Sequence, residues 1–359
     1  MSESGLDLNE LRDAIRQLLA EASDPRNLLL KEESGATDTA LWRQMAELGW
    51  FGMIIDEDHG GLGLGLEELG VLYEELGRAL SPVPVLQTML AAHALMMAGS
   101  AQQKAEWLPR VAAGELRVAL TLPQPGHQLP ALDAKGRVTG TSRDVLFADA
   151  ADLLALPVET AAGRRDFVLL PPDAAGVAVA PQPLFDLTRN MAAISLDHVQ
   201  VAPEQVLTLD SADWDRLVDH ADIALAADAV GGMQHIFEIT VEYLKVRQQF
   251  GRPIGSFQAL KHRAANWKVL QEAAIALAAN AVSFVARQGD GAGAVAAAAK
   301  YYCSNVYADI AGDAVQLHGG IGFTWEHPCH LFLKRAKLNQ VLFGGTSAKQ
   351  DKVAALAFA

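Results

Sequence analysis

Two basic segments that contain glycine carry the strongest chemical signal in this chain. The first is YLKVRQQFGRPIGSFQALKHR, residues 243–263, whose five basic side chains are Lys245, Arg247, Arg252, Lys261 and Arg263. The chain as a whole is acidic, with a formal net charge of −14. Because a guanidinium group offers fixed donors that match phosphate oxygens, this cluster predicts a site for an anionic, phosphate-bearing ligand.

The second segment is QLHGGIGFTWEHP, residues 316–328. Its adjacent glycines, Gly319 and Gly320, come at the predicted end of a helix, where residues without a Cβ let a ligand approach the backbone closely. Further basic side chains follow at Lys334, Arg335 and Lys337. From residue chemistry alone, a solvated basic face beside an ordinary helix cap explains the two segments equally well.

Both segments resemble known motifs. RQQFGRPIGSFQ and QLHGGIGF are similar to the two C-terminal signatures of the acyl-CoA dehydrogenases, and LGWFGMIIDEDHGGLGLG is similar to that family's N-terminal helix and loop. The resemblance covers nearly the whole chain. It implies a flavoprotein that uses FAD to oxidise acyl-CoA thioesters to 2-enoyl-CoAs. A carboxylate then removes the proton α to the thioester while the flavin accepts a hydride from the β carbon.

The resemblance also shows where the general base is expected. Family members carry a glutamate either directly before Gly-Thr in the final loop or on the first C-terminal helix, before the Arg-x-x-Phe-Gly motif. In this chain these two places are occupied by Gly344 and Ala221. Removal of a weakly acidic α proton needs a positioned base. Neither glycine nor alanine has a side chain that can accept a proton. The resemblance therefore implies that this chain has no catalytic residue.

Two aspartates near Ala221 leave an alternative open. A shift of the helix by one residue would bring Asp222 towards the base position, although the side chain would turn by about 100° around the helix axis. Asp228 lies nearby in sequence. A self-sufficient homomeric dehydrogenase that uses Asp222 or Asp228 as its base is therefore one alternative, and an aspartate on a solvated or subunit-facing helix surface is the simpler interpretation.

The segments that hold the flavin ring in relatives are altered here. The family sequence Thr-Glu-Pro-x-x-Gly-Ser-Asp corresponds to TLPQPGH, residues 121–127, in which Thr121 remains but the glutamate and the Gly-Ser-Asp turn are lost. The family sequence Trp-Ile-Thr aligns with Asp144-Val145-Leu146, and residues 115–208 contain no tryptophan. The resemblance implies that this chain has lost its own flavin cradle.

The residues that reach across subunits in the family are retained. In family tetramers they hold the ADP part of the neighbouring subunit's FAD, and here they are Arg247, Phe250, Gln316, Gly319 and Gly320. A symmetric homotetramer needs both halves of the site in every chain. We therefore predict the non-catalytic subunit of a heteromeric α2β2 dehydrogenase of the bacterial steroid-oxidising type. Its predicted partners are a catalytic acyl-CoA dehydrogenase subunit, an acyl-CoA substrate and an electron-transfer flavoprotein or similar acceptor.

A non-enzymatic acyl-CoA-binding or scaffold protein is the second alternative. Such a protein would not bind FAD. The retention of Arg247, Gln316 and the glycine pair argues against it, because no other ligand obviously requires these residues.

The elements that position these residues fall into three zones. Residues 1–114 predict a helical domain, residues 115–208 predict a small β-barrel or sandwich from short β-rich runs, and residues 209–359 predict a four-helix bundle. This is an α+β fold with the order of the acyl-CoA dehydrogenases. In the last zone an apolar stripe at steps of three and four predicts one helix, with Trp267 and Phe284 in its core. Its members are Leu260, Ala264, Trp267, Leu270, Ala274, Leu277, Ala281 and Phe284.

Composition excludes several classes of protein. The excess of 43 acidic over 29 basic residues argues against broad nucleic-acid binding. Cys303 and Cys329 are too few for a disulfide framework and lack metal-ligand spacing, so no metal site is predicted. No signal peptide and no uninterrupted apolar run of membrane-spanning length are visible, which predicts a cytoplasmic protein without a membrane span.

The run GGLGLG, residues 60–65, predicts a turn between helices, since no GK[ST] follows it.

Overall fold

The computed structural model describes residues 5–23 and 37–357. Residues 1–4 and 24–36 of the predicted N-terminal domain lie outside the described residues, as do residues 358 and 359 of the predicted bundle. Helices come first in the described chain, strands follow, and helices return. This order confirms the predicted α+β class.

Five helices in the described chain precede the strands. They are α1 (Leu8–Ala22), α2 (Thr39–Glu47), α3 (Leu66–Arg78), α4 (Val85–Ala98) and α5 (Ala101–Ala112). Side-chain caps explain where three of them begin. Asp7 and Asp38 accept backbone N–H groups at the starts of α1 and α2, and Ser100 and Gln103 form a capping box at the start of α5.

The glycine run 60–65 connects two helical elements, as the sequence predicts. It follows a 3₁₀ turn at Glu57–His59 and leads into α3. A Cβ on Gly61 would lie 2.0 Å from the carbonyl oxygen of Ile55. The run is therefore explained by close backbone packing, which needs no ligand.

The central strands form one eight-stranded sheet. They are β1 (Val118–Leu120), β2 (Ala131–Leu132), β3 (Arg137–Leu146), β4 (Leu153–Thr160), β5 (Arg165–Leu170), β6 (Val177–Gln182), β7 (Met191–Gln200) and β8 (Val206–Thr208). The strand order is β6-β7-β3-β2-β4-β5-β8, and β1 pairs with β4 in parallel. Aliphatic side chains such as Val138, Leu154, Leu156 and Val168 are fully buried in its core. Their burial favours the sheet by removing apolar surface from water.

Helices return after β8. The elements are α6 (Ser211–Val246), the short strands β9 (Gln248–Gln249) and β10 (Arg252–Pro253), α7 (Gln258–Ala286), α8 (Ala292–His318), α9 (Cys329–Val341) and α10 (Thr346–Ala357). Helix α8 packs against α7, α9 and α10. It ends at Gly319, whose positive φ of 62° is accessible to glycine and strained for other residues. The predicted helix end at this glycine is confirmed.

The described residues group into two compact units. One contains those of residues 1–33, 70–81 and 222–359, and the other contains those of residues 34–69 and 82–221. The predicted domain limits at residues 114 and 208 fall between α5 and β1 and between β8 and α6. As limits of independent domains they remain predictions.

All eight members of the predicted apolar stripe lie in α7, but they do not share one buried face. Trp267, Ala274 and Ala281 are buried, whereas Leu270 is 38% and Phe284 is 40% exposed. The prediction that Phe284 belongs to the core is therefore wrong. A stripe at mixed steps of three and four covers a wide arc of a helix, and the packing within this chain covers only part of that arc.

Helix α7 is also long and apolar enough, by length and composition alone, to cross a membrane. Its most apolar 18-residue window has a mean hydropathy of 1.6, and only 28% of that window is buried. No 18 consecutive residues of the sequence are all apolar. The mean hydropathy of this window is nevertheless high enough for a membrane-spanning helix. The prediction of no membrane-spanning segment rested on uninterrupted runs and did not anticipate this helix.

Candidate functional site

The two basic segments meet where α6 and α8 end. The ring of Tyr243 on α6 stacks on the imidazole of His318 on α8, with 4.4 Å between the ring centroids. The Tyr243 hydroxyl also donates to the His318 carbonyl oxygen at 3.4 Å. Arg247 lies one turn beyond Tyr243, and its N–H donates to the Tyr243 carbonyl at 2.9 Å. Since Gly319 directly follows His318, the contact brings both predicted segments to one surface.

The residues predicted to hold the ADP part of FAD are all exposed at this surface. They are Arg247, Phe250, Gln316, Gly319 and Gly320. Phe250 is 91% exposed and makes an edge contact with Phe257 at 6.2 Å between centroids. A Cβ on Gly319 or Gly320 would meet no atom within 4 Å. Open glycines, a guanidinium and an exposed aromatic ring are groups that fit the diphosphate and adenosine of a dinucleotide.

The two base positions contain no acid. Ala221 is fully buried in α6, and Gly344 lies between α9 and α10 with a φ of 97°. Lys300 from α8 holds this loop, because its Nζ donates to the Leu342 carbonyl oxygen at 2.5 Å and also to the Gly344 carbonyl oxygen. A Cβ on Gly344 would lie 3.3 Å from Cε of Lys349. Two lysines therefore surround the loop position where relatives carry a glutamate.

Each of the two alternative aspartates is ion-paired. Asp222 is fully buried, and the Lys349 ammonium lies 2.7 Å from its Oδ1 and 2.8 Å from its Oδ2. Asp228 accepts from Arg335 at 3.0 Å and from Asn339 at 2.6 Å. A general base needs a lone pair that can reach the substrate proton. The ion pairs argue against either aspartate in that role. For Asp222, whose Oδ1 accepts no hydrogen bond within the described part of the chain, its complete burial is the stronger argument.

Lys300, Lys349 and Asp222 form a buried charge cluster. Burial lowers the pKa of Lys300 to about 7, the nearby Asp222 carboxylate raises it, and the Lys349 ammonium lowers it further. Residue Lys300 is 1% and Lys349 is 4% exposed. The cluster therefore combines two basic groups with one carboxylate in a poorly solvated place, where each charge needs its partner.

The residues aligned with the flavin-ring cradle give a mixed result. Thr121 is 2% exposed, and its hydroxyl has no hydrogen-bond partner among the described residues. That orphaned hydroxyl fits a polar atom of a flavin. Asp144, which replaces the family's tryptophan, has a φ of 57° at an irregularity between β3 and β7, and its carboxylate lies 3.7 Å from Nδ1 of His127. A His–Asp pair cannot serve as an indole platform, so this half of the site does not fit the flavin ring.

Four residues of the site were not predicted from the sequence, namely Lys300, Lys349, Tyr243 and His318. For Lys300 a signal existed, since it is the single charge in the apolar run AGAVAAAAKYY, and lysine is rarely buried without a partner. For Lys349 the helix pattern of the last segment gave no indication of burial. Tyr243 and His318 lie inside the quoted motifs, but their stacking is a contact between distant parts of the sequence.

Comparison with known proteins identifies both ends of the chain. Residues 7–115 match the family model described as acyl-CoA dehydrogenase, N-terminal domain, and residues 215–356 match the model described as acyl-CoA dehydrogenase, C-terminal domain. Acyl-CoA dehydrogenase IpdE2 of Mycolicibacterium smegmatis is 33% identical over 338 residues, which cover 93% of each chain.

Two solved structures that are similar to this chain share its fold. The ChsE4-ChsE5 complex from Mycobacterium tuberculosis contains a chain that superposes with a TM-score of 0.91 at 26% identity, covering 100% of this chain and 98% of that chain. The Tcur3481-Tcur3483 steroid ACAD G363A variant gives a TM-score of 0.87 at 30% identity, with coverage of 98% and 97%.

A flavin-bound structure shares the fold as well. A glutaryl-CoA dehydrogenase from Mycobacterium smegmatis in complex with FADH2 has a TM-score of 0.88 at 20% identity, with coverage of 98% and 95%. The predicted acyl-CoA dehydrogenase fold, helices followed by a sheet and further helices, is confirmed. The chain belongs to the acyl-CoA dehydrogenase family, whose members are oxidoreductases that bind FAD.

Proposed function

We propose that this chain is the non-catalytic subunit of a heteromeric FAD-dependent acyl-CoA dehydrogenase. One observation carries the proposal. The loop position that would hold the catalytic carboxylate is Gly344, and the buried basic groups of Lys300 and Lys349 lie around it. A carboxylate introduced at this position would lie beside two buried lysines.

The chain would act by holding the ADP part of an FAD whose ring belongs to the partner. FAD supplies the hydride acceptor of the desaturation when it is bound. Arg247 would grip the diphosphate through charge-assisted hydrogen bonds, Phe250 and Gln316 would frame the adenosine, and Gly319 and Gly320 would let the backbone approach. The exposure of all five residues supports a ligand that arrives from a second chain.

The surface of α7 is consistent with assembly into an oligomer. Val269 is 69% exposed, and Leu270 and Phe284 are 38% and 40% exposed on the same apolar helix. Apolar side chains that gather on one element and stay uncovered commonly mark an interaction surface. A partner subunit that covers α7 would remove them from water.

The substrate class is inferred from the relatives. One similar solved structure is described as a steroid ACAD and another as a ChsE4-ChsE5 complex, so we infer a bulky CoA thioester, such as a steroid conjugate, for the assembly. An electron-transfer flavoprotein or similar acceptor would reoxidise the flavin. A cytoplasmic location is part of the same proposal.

The proposal is tested by turnover of an acyl-CoA thioester with an artificial electron acceptor. The chain alone, the catalytic partner alone and the co-expressed pair are compared at equal FAD concentration. We expect no turnover by this chain alone and full turnover by the pair.

Turnover by the isolated chain would instead favour the homomeric alternative with Asp222 or Asp228 as base. A colourless, inactive assembly with every acyl-CoA dehydrogenase encoded beside it would favour the scaffold alternative.

A further inference from the structure

Three potential metal ligands converge beside the proposed ADP-binding surface. His318 ends α8, His327 lies in the following turn, and Cys329 is the first residue of α9. One donor atom from each of them lies within 4.8 Å of the other two. We propose that His318, His327 and Cys329 bind a divalent cation of the zinc type. This proposal concerns the chain itself and does not depend on the heteromeric assembly.

The hydrogen bonding of His318 fits a ligand. Its Nδ1 lies 2.8 Å from the Ala314 carbonyl oxygen, which can only accept, so Nδ1 carries the proton. That tautomer leaves the lone pair on Nε2, and Nε2 has no hydrogen-bond partner among the described residues although the side chain is only 3% exposed. A histidine that donates its other ring N–H to a backbone carbonyl is the usual arrangement around protein-bound metals. The Tyr243 ring stacked on His318 fixes the plane of the imidazole.

The other two ligands are held by the local fold. Cys329 is fully buried, and its Sγ lies 3.3 Å from Nδ1 of His318, the protonated ring nitrogen. The sulfur therefore has to move towards Nε2 of His318 to share an ion with it. The imidazoles of His318 and His327 are 4.3 Å apart. The backbone N–H of Cys329 lies 3.3 Å from Nδ1 of His327, a long contact that an ion can replace. On binding, the thiol gives its proton to solvent and the thiolate becomes the charged ligand.

The spacing requires a modest rearrangement. A tetrahedral zinc ion with Zn–N of about 2.0 Å and Zn–S of about 2.3 Å holds its donors about 3.5 Å apart. The three donor atoms lie within 4.8 Å of one another, so each pair needs to close by at most about 1.3 Å to surround an ion. Two imidazoles and one thiolate are a donor set that suits zinc and excludes magnesium and calcium, which prefer oxygen.

A cavity supplies a place for a fourth ligand. His327 lines a cavity of about 530 Å³ together with Arg16, Glu75, Arg78, His235 and Glu326. The lining is mixed, because Leu19, Ala79 and Ile239 also contribute to it. The cavity is large enough for water, and a water molecule commonly completes a site with three protein ligands. The ion would also tie the two ends of the 319–328 segment together, and this segment contains the glycine pair proposed to meet ADP.

The experiment measures zinc binding to the full-length chain. The chain is stripped with a chelator, titrated with Zn²⁺ against a chromophoric zinc chelator, and separately titrated with Co²⁺. We expect one equivalent of zinc per chain and a thiolate-to-cobalt charge-transfer band in the near ultraviolet. Loss of a direct ligand in Cys329→Ser or His318→Gln should weaken zinc binding by more than about 100-fold, since even outer-shell changes cost 10- to 100-fold.

Two matched controls separate the site from general thiol or imidazole binding. Cys303 is the other buried free cysteine, and His330 directly follows Cys329 without belonging to the cluster. Cys303→Ser and His330→Gln should keep the full stoichiometry and affinity. Equal binding by the Cys329→Ser variant and the native chain would overturn the proposal.

The native chain alone also gives a decisive result if a variant fails to fold. A cobalt complex of the native chain without the thiolate charge-transfer band, or retention of no zinc at micromolar concentration, would exclude the site.

Discussion

The ammonium nitrogen of Lys349 lies 2.7 Å from one carboxylate oxygen of Asp222 and 2.8 Å from the other. Both side chains are buried, and Cε of the same lysine lies 3.3 Å from the place of a Cβ on Gly344. The pair thus joins α6 to α10 beside the loop where relatives carry their base. Asp222 is therefore explained as the ion-pair partner of Lys349 rather than as a base.

Replacing Asp222 should therefore affect stability more than chemistry. Asp222→Asn leaves the Lys349 ammonium buried without its counter-charge, and such a change costs about 3–5 kcal/mol of unfolding free energy. Urea denaturation measures this loss. Asp309→Asn, at an exposed position of α8, is the control and should change the unfolding free energy by less than about 0.5 kcal/mol.

The same variant separates the two enzymatic models. In an assembly that still contains FAD, Asp222→Asn should leave turnover per flavin unchanged. Turnover that disappears while the fold and the flavin remain would identify Asp222 as a base.

Restoring the glutamate in the final loop should not create a dehydrogenase. Gly344→Glu places a side chain on a residue with a φ of 97° and beside Lys349, and backbone strain of this kind costs about 1–3 kcal/mol. The new carboxylate would pair with the buried lysines, so we expect no acyl-CoA turnover from the variant alone. Gly345→Ala is the folding control, because a Cβ there meets no atom closer than 3.9 Å. Measurable turnover by Gly344→Glu would contradict this prediction, because it would show that the chain lacks only the catalytic carboxylate.

Lys300 predicts a specific pH dependence of stability. Burial lowers its pKa to about 7 in the folded chain, against 10.5 as the ordinary value. Between these values the unfolded chain binds a proton that the folded chain has lost, so this group makes the folded chain more stable as the pH rises above 7. The neutral amine keeps two N–H groups for the Leu342 and Gly344 carbonyls.

The test compares the native chain with Lys300→Met by urea denaturation at pH 7 and pH 9. The unfolding free energy of the native chain should rise relative to that of the variant by about 2 kcal/mol over this interval. Parallel pH profiles for the two proteins would mean that Lys300 stays charged in the folded chain.

Arg247 should control the flavin content of the assembly. Arg247→Ala removes charge-assisted hydrogen bonds to the FAD diphosphate, each worth about 1.5–3 kcal/mol, so FAD should bind about 10- to 100-fold more weakly. Equilibrium dialysis of the co-expressed pair measures the affinity. Arg110→Ala is the control, since Arg110 is an exposed arginine on α5 and lies outside both basic segments. Equal flavin affinity in both variants would contradict the donated-site model.

Local signals in the sequence predicted the order of the elements, and the five residues proposed to meet ADP are exposed. The β-rich middle zone and the helix end at Gly319 follow from residues close together in sequence. The buried contacts around Gly344 could not be predicted from local sequence, because the Lys349–Asp222 ion pair joins residues far apart in the chain. Phe284 shows the same limit, since periodicity predicts an apolar helix face but does not say whether the chain itself covers that face.

The flavin count per chain tests the central claim most directly. Native mass spectrometry of this chain, purified alone and with its catalytic partner, gives the number of FAD molecules in each species. We expect no FAD on the isolated chain and one FAD for every two polypeptides in an α2β2 assembly. One tightly bound FAD on each isolated chain would contradict the account.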